Sequence, residues 1–147
     1  MSICIINGAN LNMLGAREPS VYGTQTLADI VEKCKNLCDE GGVKFEHFQS
    51  NHEGGIIDFI QQNGGKFQYI IANLGAFTHT SIAIRDALLS IKTEKTHIIE
   101  LHISNVFKRE EFRHKSFISD ISLAVISGLG TEGYEFATKY CIEKVRG

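Results

Sequence analysis

The chain has 147 residues, 43% of them apolar and 22% charged, with a formal net charge of −2 at pH 7. That length suits one domain, 1–147, with an ordinary apolar core, and the near-balanced charge gives no general attraction to nucleic acid or to an anionic membrane. No apolar run approaches the ~20 residues that span a bilayer, and the start "MSICIINGAN" goes straight into a strand-like pattern without a signal peptide's basic head and cleavage site, so a soluble, cytoplasmic protein is expected.

The segment "SICIIN" (2–7) reads as the first strand. It leads into "NGANLNMLGAREPSVYG" (7–23), a connection of about 16 residues that holds the only proline, Pro19. Asn, Gly and Pro at set points suggest ordered turns, and the length suggests a lid. "TLADIVEKCKNLCDE" then places Leu27, Ile30, Val31, Cys34, Leu37 and Cys38 on one helical stripe, ended by Gly41-Gly42. "VKFEHFQS" (43–50) is the second strand and "EGGIIDFIQQNGG" a shorter helix closed by glycines. "QYIIAN" (68–73) is the third strand. The helix "TSIAIRDALLSIK" follows, with Ile84, Ala87, Leu88 and Ile91 toward a core and Arg85 and Asp86 outward. "THIIELHI" (96–103) and "SLAVIS" (122–127) complete the strands, and "EGYEFATKYCIEKV" closes the chain as a helix. Cys4, Cys34, Cys38 and Cys141 lack zinc-site spacing and read as reduced, small apolar residues.

Five strand-then-helix alternations require crossover connections. They predict an α/β, flavodoxin-like three-layer sandwich around a five-stranded parallel sheet of order 2-1-3-4-5. Ligands of such sheets bind beyond the carboxyl ends of the strands, where three polar clusters gather: "NGANLNMLGAREPSVYG", "NLGAFTHTS" and "LHISNVFKREEFRH".

Period-two alternation in the fourth strand puts Ile98, Glu100, His102 and Ser104 on one face and His97, Ile99, Leu101 and Ile103 on the other. A carboxylate beside an imidazole favours the protonated ring and suits a general acid; a histidine hydrogen-bonded inside the fold fits the same pattern. Thr78, Thr80 or Ser81 can cap the third helix, and the same helix start beside His79 suits an oxygen-rich or anionic ligand. Arg109 and Arg113 read either as a solvated basic patch or as a carboxylate clamp. "GLGTEG" (128–133) matches a dinucleotide fingerprint in letters, but only residues 134–147 follow, too few for the acidic partner expected ~20 residues on. No phosphate-loop or nucleophile-elbow motif is present, and His79, Glu100, His102 and His114 have no metal-site spacing.

The early loop pairs Arg17 with Tyr22. A free tyrosine ionises near pH ~10, so its use as a base at neutral pH needs roughly 4 kcal/mol of help. A guanidinium ~4 Å away supplies about 1 kcal/mol in bulk water and about 4 in a shielded site. A closing loop stiffened by Pro19 provides that shielding; the alternative is a packed Tyr22 with Arg17 in solvent.

Four blocks, "NGANLNMLGAREPSVYG", "FQSNHEGGIIDFI", "NLGAFTHTSIAIRDAL" and "ELHISNVFKREEFRHKS", resemble in order and spacing the type II 3-dehydroquinate dehydratases (type II dehydroquinases) over nearly the whole chain. The resemblance implies a metal-free, cofactor-free trans-elimination of water from 3-dehydroquinate, giving 3-dehydroshikimate in the shikimate pathway. It assigns Tyr22 as the base, Arg17 as the lid cation that steadies its phenolate, and Asn10 as the holder of a water at the enolate. His102, paired with Glu100, is the acid; Asn73, His79, Ile103, Ser104 and Arg113 hold substrate; Asp86 reaches a neighbouring subunit's site in a dodecamer built from trimers. The chain departs from the family at two places, where Ala9 and Leu74 stand in positions that usually carry proline. The competing expectation is a non-catalytic flavodoxin-like module that binds an anionic metabolite at the same rim.

Overall fold

In the computed structural model, residues 1–16, 20 and 24–147 are described. The strands are β1 (Ser2–Asn7), β2 (Lys44–Gln49), β3 (Tyr69–Asn73), β4 (His97–His102) and β5 (Ala124–Ser127). The helices are α1 (Leu27–Gly41), α2 (Glu53–Asn63), α3 (Ile82–Ile91) and α4 (Glu132–Arg146). All neighbouring strands pair parallel in the order β2-β1-β3-β4-β5, the order expected from the sequence. Among the described residues no helix is long and apolar enough to cross a membrane.

Alternation along the strands builds two cores. Ile3 and Ile5 of β1, Tyr69 and Ile71 of β3, and Ile99 and Leu101 of β4 pack with Ile30, Cys34 and Cys38 of α1 and Tyr134, Ala137 and Cys141 of α4. The opposite side chains, Cys4, Ile6, Ile70, Ala72 and Ile98, pack with Ile56 and Ile60 of α2 and Ile84, Ala87 and Leu88 of α3. All four cysteines are buried and free, and burial raises the thiol pKa of each, most of all in Cys4. They serve as apolar filling.

Local signals explain the helix ends. Thr26 and Asp29 form a capping box at the start of α1, and Gly42, at φ 69°, ends it in the left-handed region. At α3 Ser81 is the cap, its hydroxyl accepting from the Ile84 amide at 2.9 Å. The glycines of "GLGTEG" serve the fold. Gly128 and Gly130 turn the chain at φ 92° and 65°, and a Cβ on Gly133 would lie 2.9 Å from Leu101 Cδ1.

The strand bounds differ slightly from those read in the sequence, most at β5, which begins at Ala124. Leu123 already donates its amide to the Ile98 carbonyl at 2.7 Å, so pairing starts one residue before the regular ladder. The polar connections also contain short 3-10 turns, at Leu11–Met13, Gly75–His79, Val106–Lys108, Glu111–Arg113 and Ser119–Ile121.

Candidate active site

The carboxyl ends of β1, β3 and β4 open into a cleft of about 690 Å³ of empty space, counting its open mouth. The loop after β1 supplies Asn10, Leu11 and Leu14, and β3 with the turn beyond it supplies Asn73, Gly75 and His79. The end of β4 and its loop supply His102, Ile103, Ser104, Val106, Arg109 and Arg113. Eight candidate site residues marked in the sequence therefore converge: Asn10, Asn73, His79, His102, Ile103, Ser104, Arg109 and Arg113. Glu100 lies behind His102. Asp86 is exposed on α3 and is not among the cleft's walls. Tyr22 and Arg17 lie outside the described residues.

The first two loops are pressed together. Gly8 donates its amide to the Asn73 carbonyl at 2.8 Å, and a Cβ on Gly8 would lie 1.9 Å from the Leu74 carbonyl oxygen. A Cβ on Gly75, at φ 60°, would lie 2.8 Å from the Ala9 carbonyl oxygen. Asn10 adopts φ 69°, a conformation asparagine tolerates better than most residues, and its amide donates to Asn51 Oδ1 at 2.9 Å. Leu74 has φ −78°, within the range proline imposes, while its side chain fills the α2–α3 core at 1% exposure. The backbone shape that a proline would enforce is adopted here without one.

Glu100 is fully buried. His102 Nε2 donates to its Oε1 at 2.9 Å, the Ser116 hydroxyl donates to the same oxygen at 2.5 Å, and the Ser119 hydroxyl donates to Oε2. Burial pushes the carboxyl pKa up, but the hydrogen bonds from His102, Ser116 and Ser119 outweigh it and hold the value below the ordinary glutamate range. Ser116 is itself fixed, its oxygen accepting from the amides of Ile118 at 3.1 Å and Ser119 at 3.2 Å. With Nε2 of His102 committed to the carboxylate, Nδ1 is the nitrogen left to exchange a proton.

The same short segment orients the second histidine. His79 Nδ1 donates to the Lys115 carbonyl at 2.7 Å, so the neutral ring keeps Nε2 as an acceptor. Burial lowers the His79 pKa, and the nearby His102 and Arg113 act in the same direction against the Lys115 bond and Glu100. The two imidazoles stack with centroids 6.1 Å apart and planes 18° from parallel. Arg113 Nε donates to Glu110 at 2.5 Å, which among the described residues leaves both Nη groups for a bidentate ligand. The cleft thus combines a histidine backed by a buried carboxylate, an uncharged histidine acceptor, an amide and a guanidinium.

Sequence reasoning missed the apolar wall of Leu11 and Leu14, and Ser116 and Ser119 behind Glu100. The two serines are three residues apart and read as ordinary loop polarity; no periodic signal marks them.

The pKa of Glu100 has a consequence for stability. A carboxyl with a lower pKa folded than unfolded contributes stability above its unfolded pKa and loses it as pH falls through the folded one. Substituting Ser116→Ala or Ser119→Ala removes a donor and raises the folded pKa. Acid unfolding followed by circular dichroism is expected to move to higher pH in both variants. An unmoved acid transition would mean that neither hydroxyl supports the charge.

The fold and this cleft define an α/β enzyme site built for acid–base work on a small, hydroxylated, anionic substrate. The model of the "Dehydroquinase class II" family matches residues 1–142. A catabolic 3-dehydroquinase 2 of Neosartorya fischeri is 53% identical over 98% of this chain and 94% of the relative. A 3-dehydroquinate dehydratase of Photorhabdus laumondii is 49% identical over 97% and 93%. The crystal structure of the type II dehydroquinase from Propionibacterium acnes superposes with a TM-score of 0.89 at 37% identity, covering 97% of this chain and 96% of that one. The chain belongs to the class II dehydroquinase family.

Proposed function

We propose that the chain is a 3-dehydroquinate dehydratase, a hydro-lyase that removes water from 3-dehydroquinate through an enolate to give 3-dehydroshikimate in the shikimate pathway. The observation that carries this reading is His102 held at 2.9 Å against the buried carboxylate side chain of Glu100, in a cleft shared with Asn73, His79 and Arg113. In this reading residues 1–147 act as one cytoplasmic catalytic domain with no cofactor and no metal.

An α-proton beside a ketone is weakly acidic, so its removal requires a strong base and donors aimed at the enolate oxygen. Tyr22 is the base and Arg17 the cation that keeps its phenolate negative. Asn10 holds a water at the enolate. His102, positioned by Glu100, gives its proton to the departing hydroxyl. His79 and Asn73 take the ring hydroxyls, the Ile103–Ser104 segment and Arg113 the carboxylate.

Purified protein at micromolar concentration is expected to convert 3-dehydroquinate to a conjugated enone, followed as rising ultraviolet absorbance; a flat trace overturns the reading. Tyr22→Phe is expected to abolish turnover while calorimetry still detects substrate binding. A metabolite-binding module would instead show binding and no turnover in the unmodified protein.

In this reading the assembly is a homododecamer, a tetramer of trimers. The edge strand β5 supports burial against another chain, because Val125 on it and Leu123 just before it stand 50% and 52% exposed. Asp86, outward on α3, completes a neighbouring subunit's site. Asp86→Ala is expected to lower kcat/KM at least tenfold with the melting temperature of a single chain unchanged; unchanged kinetics and unchanged sedimentation together refute the shared site.

A further inference from the structure

Beneath the cleft a chain of hydrogen bonds runs from a backbone amide to the neighbourhood of the sheet's edge. The Gly75 amide donates to Asn73 Oδ1 at 3.3 Å. Asn73 Nδ2 donates to the Tyr134 hydroxyl oxygen at 2.7 Å, and that hydroxyl donates to Asn7 Oδ1 at 2.6 Å. Asn7 Nδ2 lies 3.0 Å from His47 Nε2. Asn7 and Asn73 are ladder partners at the ends of β1 and β3, and His47 stands on β2 opposite Ile5. Asn7 and Tyr134 are wholly buried and Asn73 is 4% exposed.

The chain has one polarity. A backbone amide can only donate, so Asn73 must offer its oxygen to Gly75 and its nitrogen to Tyr134. The phenol, having accepted, directs its proton to Asn7, whose nitrogen then faces His47. His47 must therefore be bare at Nε2 and carry its proton on Nδ1. Burial raises the Tyr134 pKa well beyond the ordinary tyrosine value despite the bond from Asn73, so the phenol keeps the proton the chain requires. The 3.3 Å bond from Gly75 is the long member of the set, and the 2.7 Å bond from Asn73 to the phenol is the tight restraint on the amide.

We infer that Tyr134 is a positioning residue for substrate binding: by tying Asn73 to Asn7 and His47, it fixes which edge of the Asn73 amide faces the cleft. This rests on the cleft being the substrate site proposed above. A rotated amide has the same shape but exchanges a donor for an acceptor, so a substrate hydroxyl whose proton is committed to another group of the cleft would meet the wrong partner. A buried polar mismatch of that kind is costly even where packing is unchanged.

The test is Tyr134→Phe in the full chain, which keeps the ring in the core and removes only the oxygen. KM for 3-dehydroquinate is expected to rise about tenfold and kcat to stay within about twofold, because an Asn73 contact made equally in ground and transition states is lost. A merely structural tyrosine would lower the melting temperature without separating KM from kcat. Independently of turnover, ring nitrogen NMR of His47 is expected to show the Nδ1–H tautomer in the unmodified protein and a mixture in Tyr134→Phe. The inference is overturned by an unchanged KM in the folded variant, or by an Nε2–H tautomer for His47 in the unmodified protein. If the unmodified protein makes no enone, the substrate reading falls separately, and the tautomer still decides the polarity of the chain.

Discussion

His102→Ala is expected to lower kcat by about 10²–10⁴-fold, the usual contribution of one positioned general acid. The departing group is a hydroxyl, which leaves poorly without a proton, and His102 is the cleft histidine braced by a carboxylate. Its partner sharpens the test. Glu100→Gln keeps size and shape: the new amide oxygen can accept from His102 and Ser116, while Ser119 turns its hydroxyl to accept from the new NH₂ group. Only the charge is lost. A charge-assisted hydrogen bond contributes about 1.5–3 kcal/mol, so kcat for Glu100→Gln is expected to fall roughly ten- to a hundredfold. The order of the two effects matters as much as their size, because Glu100 acts only through the imidazole. The double variant should then be no slower than His102→Ala alone. Steady-state enone absorbance measures all three. A loss below tenfold in His102→Ala would mean that another group delivers the proton.

Residues with repeated neighbours were legible in the sequence, and residues with single partners were not. The alternation in "THIIELHI" separates Ile98 from Ile99 and Leu101, and the two sides enter different cores. That pattern repeats over several residues, so chance substitutions do not hide it, and it places Glu100 on the Ile98 face before any coordinates exist. The 3-10 turns span three or five residues and leave no comparable period. Ser116 and Ser119 acquire their role only because the segment after Arg113 folds back over the end of β4. Its ties are made one residue at a time: Lys115 to His79, Phe117 to Thr78 and Arg85, Ser116 and Ser119 to Glu100. Tyr134 is hidden for a different reason. On α4 it reads as one more core aromatic, and its hydroxyl gains meaning only from two asparagines at the ends of non-consecutive strands.

The second large effect is on stability, at Gly8→Ala. This glycine needs no unusual backbone angle; it is required by proximity. An alanine Cβ would lie 1.9 Å from the Leu74 carbonyl oxygen, 2.4 Å from its carbonyl carbon and 2.8 Å from its Cα, and all three atoms are backbone. No rotamer change relieves such a clash. The loop after β1 must instead withdraw from the loop after β3, which breaks the 2.8 Å bond from the Gly8 amide to the Asn73 carbonyl. Leu74 cannot yield in turn, because its side chain is 1% exposed in the α2–α3 core. Overpacking together with a lost buried hydrogen bond predicts a destabilisation of about 3 kcal/mol or more. In a chain of this size that lowers the melting temperature by roughly 6–12 °C. The withdrawal also carries Asn10 away from its 2.9 Å bond to Asn51, so activity should fall at temperatures where the variant is still folded. Gly54→Ala is the control, because a Cβ there meets nothing within 4 Å and should leave melting temperature and turnover nearly unchanged. Equal melting temperatures for the two variants would show that the loops after β1 and β3 are not locked together at the mouth of the site.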